Sequence, residues 1–261
     1  HRDLHSFPTR RSSDLGVTQP VKSALVDKIV PAQLRGAGDN WITLTKRARI
    51  VVVSKDRVKQ DAITYEDLAD PKWKGKFCIR SGQHPYNTAL FSAYLSHHGA
   101  EKTEAYLKAL KANTARKPGG GDRDVARDIL SGQCDIAIIN TYYIGLMSKA
   151  TNEQKGWYEA IKPLKTTFAN GGTHVNVSAA AIAKHAPNKE NAVKLIEYML
   201  GEKAQHLYAD GNFEFPVNAD VKEAAAVKLL GAVTPDKLPL ADIAKNRKAA
   251  SELVDKAGFD N

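Results

Sequence analysis

The run Asp135-Ile136-Ala137-Ile138-Ile139-Asn140 constrains this chain more than any other segment. It is short, apolar and without a polar alternation, so it reads as a buried strand that ends in a loop. Directly after it stand two adjacent phenols, Tyr142 and Tyr143. Neighbouring side chains at the mouth of a strand tend to point different ways, so packing alone seldom places two bulky rings there. They converge on one point if the backbone turns between them.

A phenolate oxygen is a hard, anionic donor that suits a hard, highly charged cation. Taken alone, the pair reads as two aromatics capping a core, each hydroxyl on a backbone partner.

Strands and helices alternate along the rest of the chain, the pattern of an α/β sheet protein. A helix interrupted by Pro31 is expected over Ser23 to Leu34, and a β-branched strand over Ile50 to Val53. Tyr65 to Leu68 opens a short helix that Pro71 ends, and Lys76 to Ile79 is a strand. Further helices are expected over Asn87 to His98, Glu101 to Asn113, and from an Asp122 N-cap to Leu130. The tyrosine loop follows, then a short helix after Ile144. Thr173 to Ile182 reads as a strand. Asn188 caps a helix to Leu200 with Ala192, Leu195, Ile196 and Met199 inward. A helix from Gly201 to about Asp210, an extended return over Glu214 to Val217 and a closing helix over Leu240 to Ala257 complete the chain.

The 261 residues suffice for one large domain or two ordinary lobes. No window is apolar enough to span a bilayer. A formal charge of +9 raises nucleic acid as a partner, but the basic residues are scattered among acids, so no nucleic-acid partner is expected. The two cysteines, Cys78 and Cys134, are two buried small hydrophobes in a reducing compartment and a plausible disulfide in an oxidising one.

The stretch Ser131-Gly132-Gln133-Cys134-Asp135 through Ile139-Asn140-Thr141-Tyr142-Tyr143 resembles the ferric-ion-binding proteins of bacterial periplasmic uptake systems. Asp70-Pro71-Lys72-Trp73-Lys74-Gly75-Lys76, Arg80-Ser81-Gly82-Gln83-His84-Pro85-Tyr86-Asn87, Asn176-Val177-Ser178-Ala179-Ala180 and Glu214-Phe215-Pro216-Val217 follow the same family in order. The resemblance runs from about Val17 to the C-terminus. It implies a two-lobed, type II solute-binding (transferrin-like) α/β fold, and a periplasmic, monomeric, non-enzymatic carrier that docks on an inner-membrane ABC permease. No GxSxG, HExxH, P-loop or CxxC pattern speaks for an enzyme. The alternative within the fold is an organic cargo such as a polyamine or thiamine.

The resemblance implies Tyr142 and Tyr143 as iron donors, and Tyr86 as the third tyrosine that one branch of the family uses. Three phenolates offset the charge of Fe(III). For a carbonate companion it implies Arg47, chosen over Arg49 on the same strand face, with Ser81, Gly82 and Asn140. His84 is expected in a polar loop role. One lobe is expected from residues 16–46 and 177–223, the other from 50–172 and 224–261, with crossover strands near 47–51 and 173–178. Residues 1–15 resemble translated adapter read-through, so the first lobe is expected to be incomplete, the signal peptide missing, and His1 and His5 without metal-binding weight.

Overall fold

The structure, a computed structural model, describes residues 16–228, 230 and 233–261. The expectations for the first fifteen residues, His1 and His5 included, lie outside the described residues.

The chain opens with β1 (Thr18–Gln19) and α1 (Ala24–Ile29), whose N-cap Ser23 accepts from the Val26 N–H. The strand β2 (Ile42–Ser54) comes next, then β3 (Ala62–Thr64) and β4 (Phe77–Cys78). Three helices follow, α2 (Pro85–His98), α3 (Ala100–Asn113) and α4 (Asp122–Leu130). Then come β5 (Ile136–Asn140), α5 (Thr141–Ser148), α6 (Gln154–Ala160), β6 (Ile161–Pro163), β7 (Lys165–Thr167), β8 (Val175–Ala180) and β9 (Ile182–Ala183). The chain ends through α7 (Lys189–Leu200), α8 (Glu202–Asn212), β10 (Phe215–Pro216), α9 (Ala225–Lys228) and α10 (Leu240–Lys256). Among the described residues no helix is long and apolar enough to cross a membrane.

One strand organises the rest. The first half of β2 pairs antiparallel with β8, from Ile42 opposite Ala180 to Ala48 opposite Val175, and with β10 on its other edge. Its second half pairs antiparallel with β5, from Arg49 opposite Asn140 to Val53 opposite Ile136, and then with β6. The strand therefore changes partners between Ala48 and Arg49. Tyr65 ties the two crossings there: its hydroxyl donates to the Arg49 carbonyl (2.6 Å) and accepts from the His174 N–H (3.0 Å).

Strand alternation explains why β5 carries no polar face. Val51, Val53, Ile136 and Ile138 pack on one side with Leu90 and Phe91 of α2, Leu107 of α3 and Val254 of α10. Ile50, Val52, Ala137 and Ile139 pack on the other with Val125 and Ile129 of α4 and Ile144 and Met147 of α5. Both faces of this half-sheet are covered, so both sets of side chains are apolar. A third cluster joins Val26 and Val30 to Ile42, Leu44, Ile196, Leu200 and Val217.

Several expectations are corrected. The helix after β5 begins at Thr141, so Tyr142 and Tyr143 sit in a helical turn and not in a loop. Helix α2 starts at Pro85, which suits the first helical position, with His84 as the N-cap. Gly121, not Asp122, precedes α4; its N–H donates to the Asp124 carboxylate (2.7 Å), which leaves Asp122 turned inward. Pro71 opens a further 3-10 turn, Pro71–Trp73, where the residue before it was expected to be the end. Leu195, expected inward on α7, is 57% exposed, because that helix buries Ile196 and Leu200 instead.

Cys78 and Cys134 form a disulfide, with Cα atoms 5.9 Å apart, that ties β4 to the turn entering β5.

Candidate metal centre

Strand β5 delivers the chain to Asn140, whose extended φ/ψ (−79°, 140°) makes it the N-cap of α5. Tyr142 and Tyr143 then fall in the first helical turn, where consecutive side chains diverge by about 100°. Their rings nevertheless lie side by side, with centroids 4.2 Å apart and planes at 34°. Tyr86 comes from the first turn of α2, where its N–H donates to Nδ1 of His84 (3.2 Å) and its ring meets the His84 ring edge-on at 4.5 Å. The Tyr86 and Tyr142 hydroxyls are 3.1 Å apart. Two helix N-termini, 56 residues apart in sequence, thus bring three phenols together.

Guanidinium groups surround them. Arg47, Arg49 and Arg80 lie 5.7, 5.9 and 5.1 Å from the centroid of the Tyr86 ring, and Arg123 lies 5.6 Å from that of Tyr143. Arg47 donates to the Ser178 hydroxyl (2.7 Å) and lies 3.9 Å from the Glu214 carboxylate. Arg49 is fully buried; it donates to Asn87 Oδ1 (2.9 Å), Asp122 Oδ2 (2.9 Å) and Asn140 Oδ1 (3.1 Å). Asp122, equally buried, also accepts from the Asn140 N–H (2.8 Å) and from Arg80 (3.4 Å). Nη2 of Arg49 and Nδ2 of Asn140 are buried donors with no partner.

Burial, followed by the charges of Tyr143 and Tyr86 and their hydrogen bonds, pushes the Tyr142 phenol well above its ordinary range. Burial also raises Tyr143, opposed by its hydrogen bond with Tyr142 and by Arg80, and reinforced by Asp122 and Tyr86. With no cation present, Tyr142 and Tyr143 are therefore neutral at physiological pH. Each becomes an anionic donor only when a cation replaces its proton. Among the described residues no group of three His, Cys, Asp or Glu side chains is placed to hold a metal ion.

Ser81 and Gly82, expected to receive an external anion, already hold an internal one. The Ser81 hydroxyl and the Gly82 N–H donate to the Asp260 carboxylate (2.6 and 2.7 Å), and the Gln83 N–H adds a third donor (3.2 Å). The C-terminal segment supplies that carboxylate, so their assignment to an external anion is corrected. Sequence reasoning passed over Asp122, Arg80 and Arg123. Arg49 was legible from its shared face with Arg47, yet it is Arg49 that the register sets opposite Asn140. An open cleft of about 320 Å³ lies beside Tyr143, between Gly121, Arg123, Gln154 and Trp157.

A family profile described as bacterial extracellular solute-binding protein matches residues 10–236. Iron uptake protein A1 of Synechocystis sp. is 37% identical over 95% of this chain and 70% of its own length. The structure of a Bordetella ferric binding protein superposes with a TM-score of 0.90 at 58% identity, covering 95% of this chain and 79% of that one. A Trichodesmium protein solved in complex with iron and citrate gives 0.89 at 33% identity, with 95% and 79% covered.

Proposed function

We propose, because this chain belongs to the bacterial extracellular solute-binding proteins, that it is the ferric-ion carrier of an ABC uptake system in the periplasm. It is not an enzyme: it holds its cargo and delivers it to an inner-membrane permease. The observation that carries this reading is the meeting of the Tyr86 and Tyr142 hydroxyls at 3.1 Å with Tyr143 stacked alongside. Three phenolates balance the charge of Fe(III), and hard oxygen donors match a hard cation. The raised phenols support the same reading, since such a site rejects weakly charged cations that cannot displace protons.

Carbonate is the proposed companion anion, on the side of the site that carries Arg47 and Asn140. The unpartnered Nδ2 of Asn140 and Nη2 of Arg49 support a small acceptor there, because buried donors are rarely left unpaired. We assign residues 16–46 with 177–223 to one lobe and 50–172 with 224–261 to the other. The change of β2 partners after Ala48, and the Tyr65 tie between Arg49 and His174, favour a hinge at that level. The carrier is proposed to act as a monomer, without a nucleic-acid partner.

Addition of Fe(III) to the protein is expected to raise a visible phenolate-to-iron charge-transfer band. Tyr142→Phe and Tyr143→Phe should each weaken and shift it, and Tyr86→Phe should shift it too. A protein that stays colourless, but binds a polyamine or thiamine in calorimetry, would replace iron with an organic cargo.

A further inference from the structure

A second cavity, of about 430 Å³, borders the β2–β8 ladder away from the tyrosines. Arg47 and its register partner Asn176 alternate with Lys46 and its partner Val177. Successive side chains on a strand take opposite faces, so Lys46 and Val177 point away from the face on which Arg47 meets Tyr86. Lys46 and Val177 line the cavity together with Leu34, Leu240 and Ile243. Its volume lies at the lower end of the range typical for small-molecule sites, about 300–1,000 Å³.

The polar groups in this wall are few and unevenly matched. Lys46, half-buried, has no ion pair within 4 Å among the described residues, and burial lowers its pKa against the pull of Glu223. His174 is 1% exposed and its Nε2 has no hydrogen-bond partner. The one carboxylate in the wall, Asp236, is already taken: it accepts from the N–H groups of Gly172 (2.9 Å) and Leu238 (2.7 Å) and meets Nε2 of His97 (3.1 Å). Lys237, exposed at the rim, adds a second positive charge. The wall is thus mostly apolar, with a cation and an unpartnered imidazole nitrogen that the protein's own carboxylate does not serve.

We propose that this cavity binds a small amphipathic monocarboxylate, its carboxylate on Lys46 and its apolar body against Val177 and Ile243. Leu34 belongs to one proposed lobe and Ile243 to the other, so the occupant touches both. None of these groups is a proposed iron donor, and the inference stands apart from the iron reading.

Calorimetry of the full chain with benzoate, and with its neutral isostere benzamide, tests the proposal. Benzoate is expected to bind saturably at one site, with Kd on the order of 0.1–1 mM, and benzamide at least tenfold more weakly. Lys46→Met should weaken benzoate at least tenfold and leave benzamide unchanged. Ile243→Trp should fill the space and abolish both. In each variant the iron-dependent visible band should match that of the unaltered protein. Failure of benzoate to saturate by about 10 mM overturns the proposal, as does equal affinity for the two probes or a Lys46→Met variant that binds benzoate normally. Should a variant fail to fold, the comparison of benzoate with benzamide on the unaltered chain decides alone.

Discussion

The Arg49 guanidinium lies 2.9 Å from the Asp122 carboxylate, and neither side chain reaches solvent. A buried pair of this kind contributes little net stability when intact, because desolvation offsets the attraction. Breaking it by removing one partner strands the other. Asp122→Asn is therefore expected to cost about 3–5 kcal/mol in urea denaturation. Asp122→Asn combined with Arg49→Met should recover much of that loss. An additive double variant would show that the pair is not coupled.

Iron binding should weaken on acidification. The Tyr142 and Tyr143 phenols lie above their ordinary range in the metal-free protein, so they are protonated at neutral pH, and Fe(III) must release those protons. Apparent affinity then rises with pH, and its slope counts the protons released. Chelator competition across about pH 6 to 8 measures that slope, and Tyr142→Phe should lower it by roughly one proton. An identical slope in the variant would remove Tyr142 from the donor set.

His174 gives the fold an acid-sensitive point. Burial first, then the charge of Arg49, holds its pKa down to about 3 from 6.5. The folded state thus keeps His174 neutral while the unfolded chain protonates it. The corresponding stability is present above about pH 6.5 and is lost progressively as pH falls toward about 3. The loss is on the order of a few kcal/mol over that window, and denaturation at stepped pH values reads it. Titration of the His174 ring near its ordinary pKa in the folded protein, followed by NMR, would contradict this.

The Cys78–Cys134 disulfide closes a loop with a sequence separation of 56 residues. Loop-closure entropy alone assigns such a cross-link about 4 kcal/mol. Reduction, or replacement of both cysteines by serine, should lower the urea midpoint accordingly. An unchanged midpoint would show that the bond forms without constraining the unfolded chain.

The sequence by itself determined the parts of this protein that short stretches of chain encode. The apolar run into β5 specified a strand covered on both faces, and the order of strands and helices specified an α/β protein. The tyrosine pair, and Tyr86 near the start of the next helix, were legible because hard phenolic donors grouped in that context have a narrow chemistry. Only the tertiary structure decided which charges meet. Arg49 and Asp122 are 73 residues apart, and Asp122 turns inward because Gly121 precedes the helix in its stead. Asp260 reaches Gly82 across 178 residues and takes donors that looked open to an external anion. Leu195 faces outward because the rotation of α7 on its neighbours is set by what Ile196 and Leu200 can bury. Local pattern records what a segment prefers to form. Electrostatic partnership and the choice of buried face depend on neighbours that the chain supplies only once it is folded.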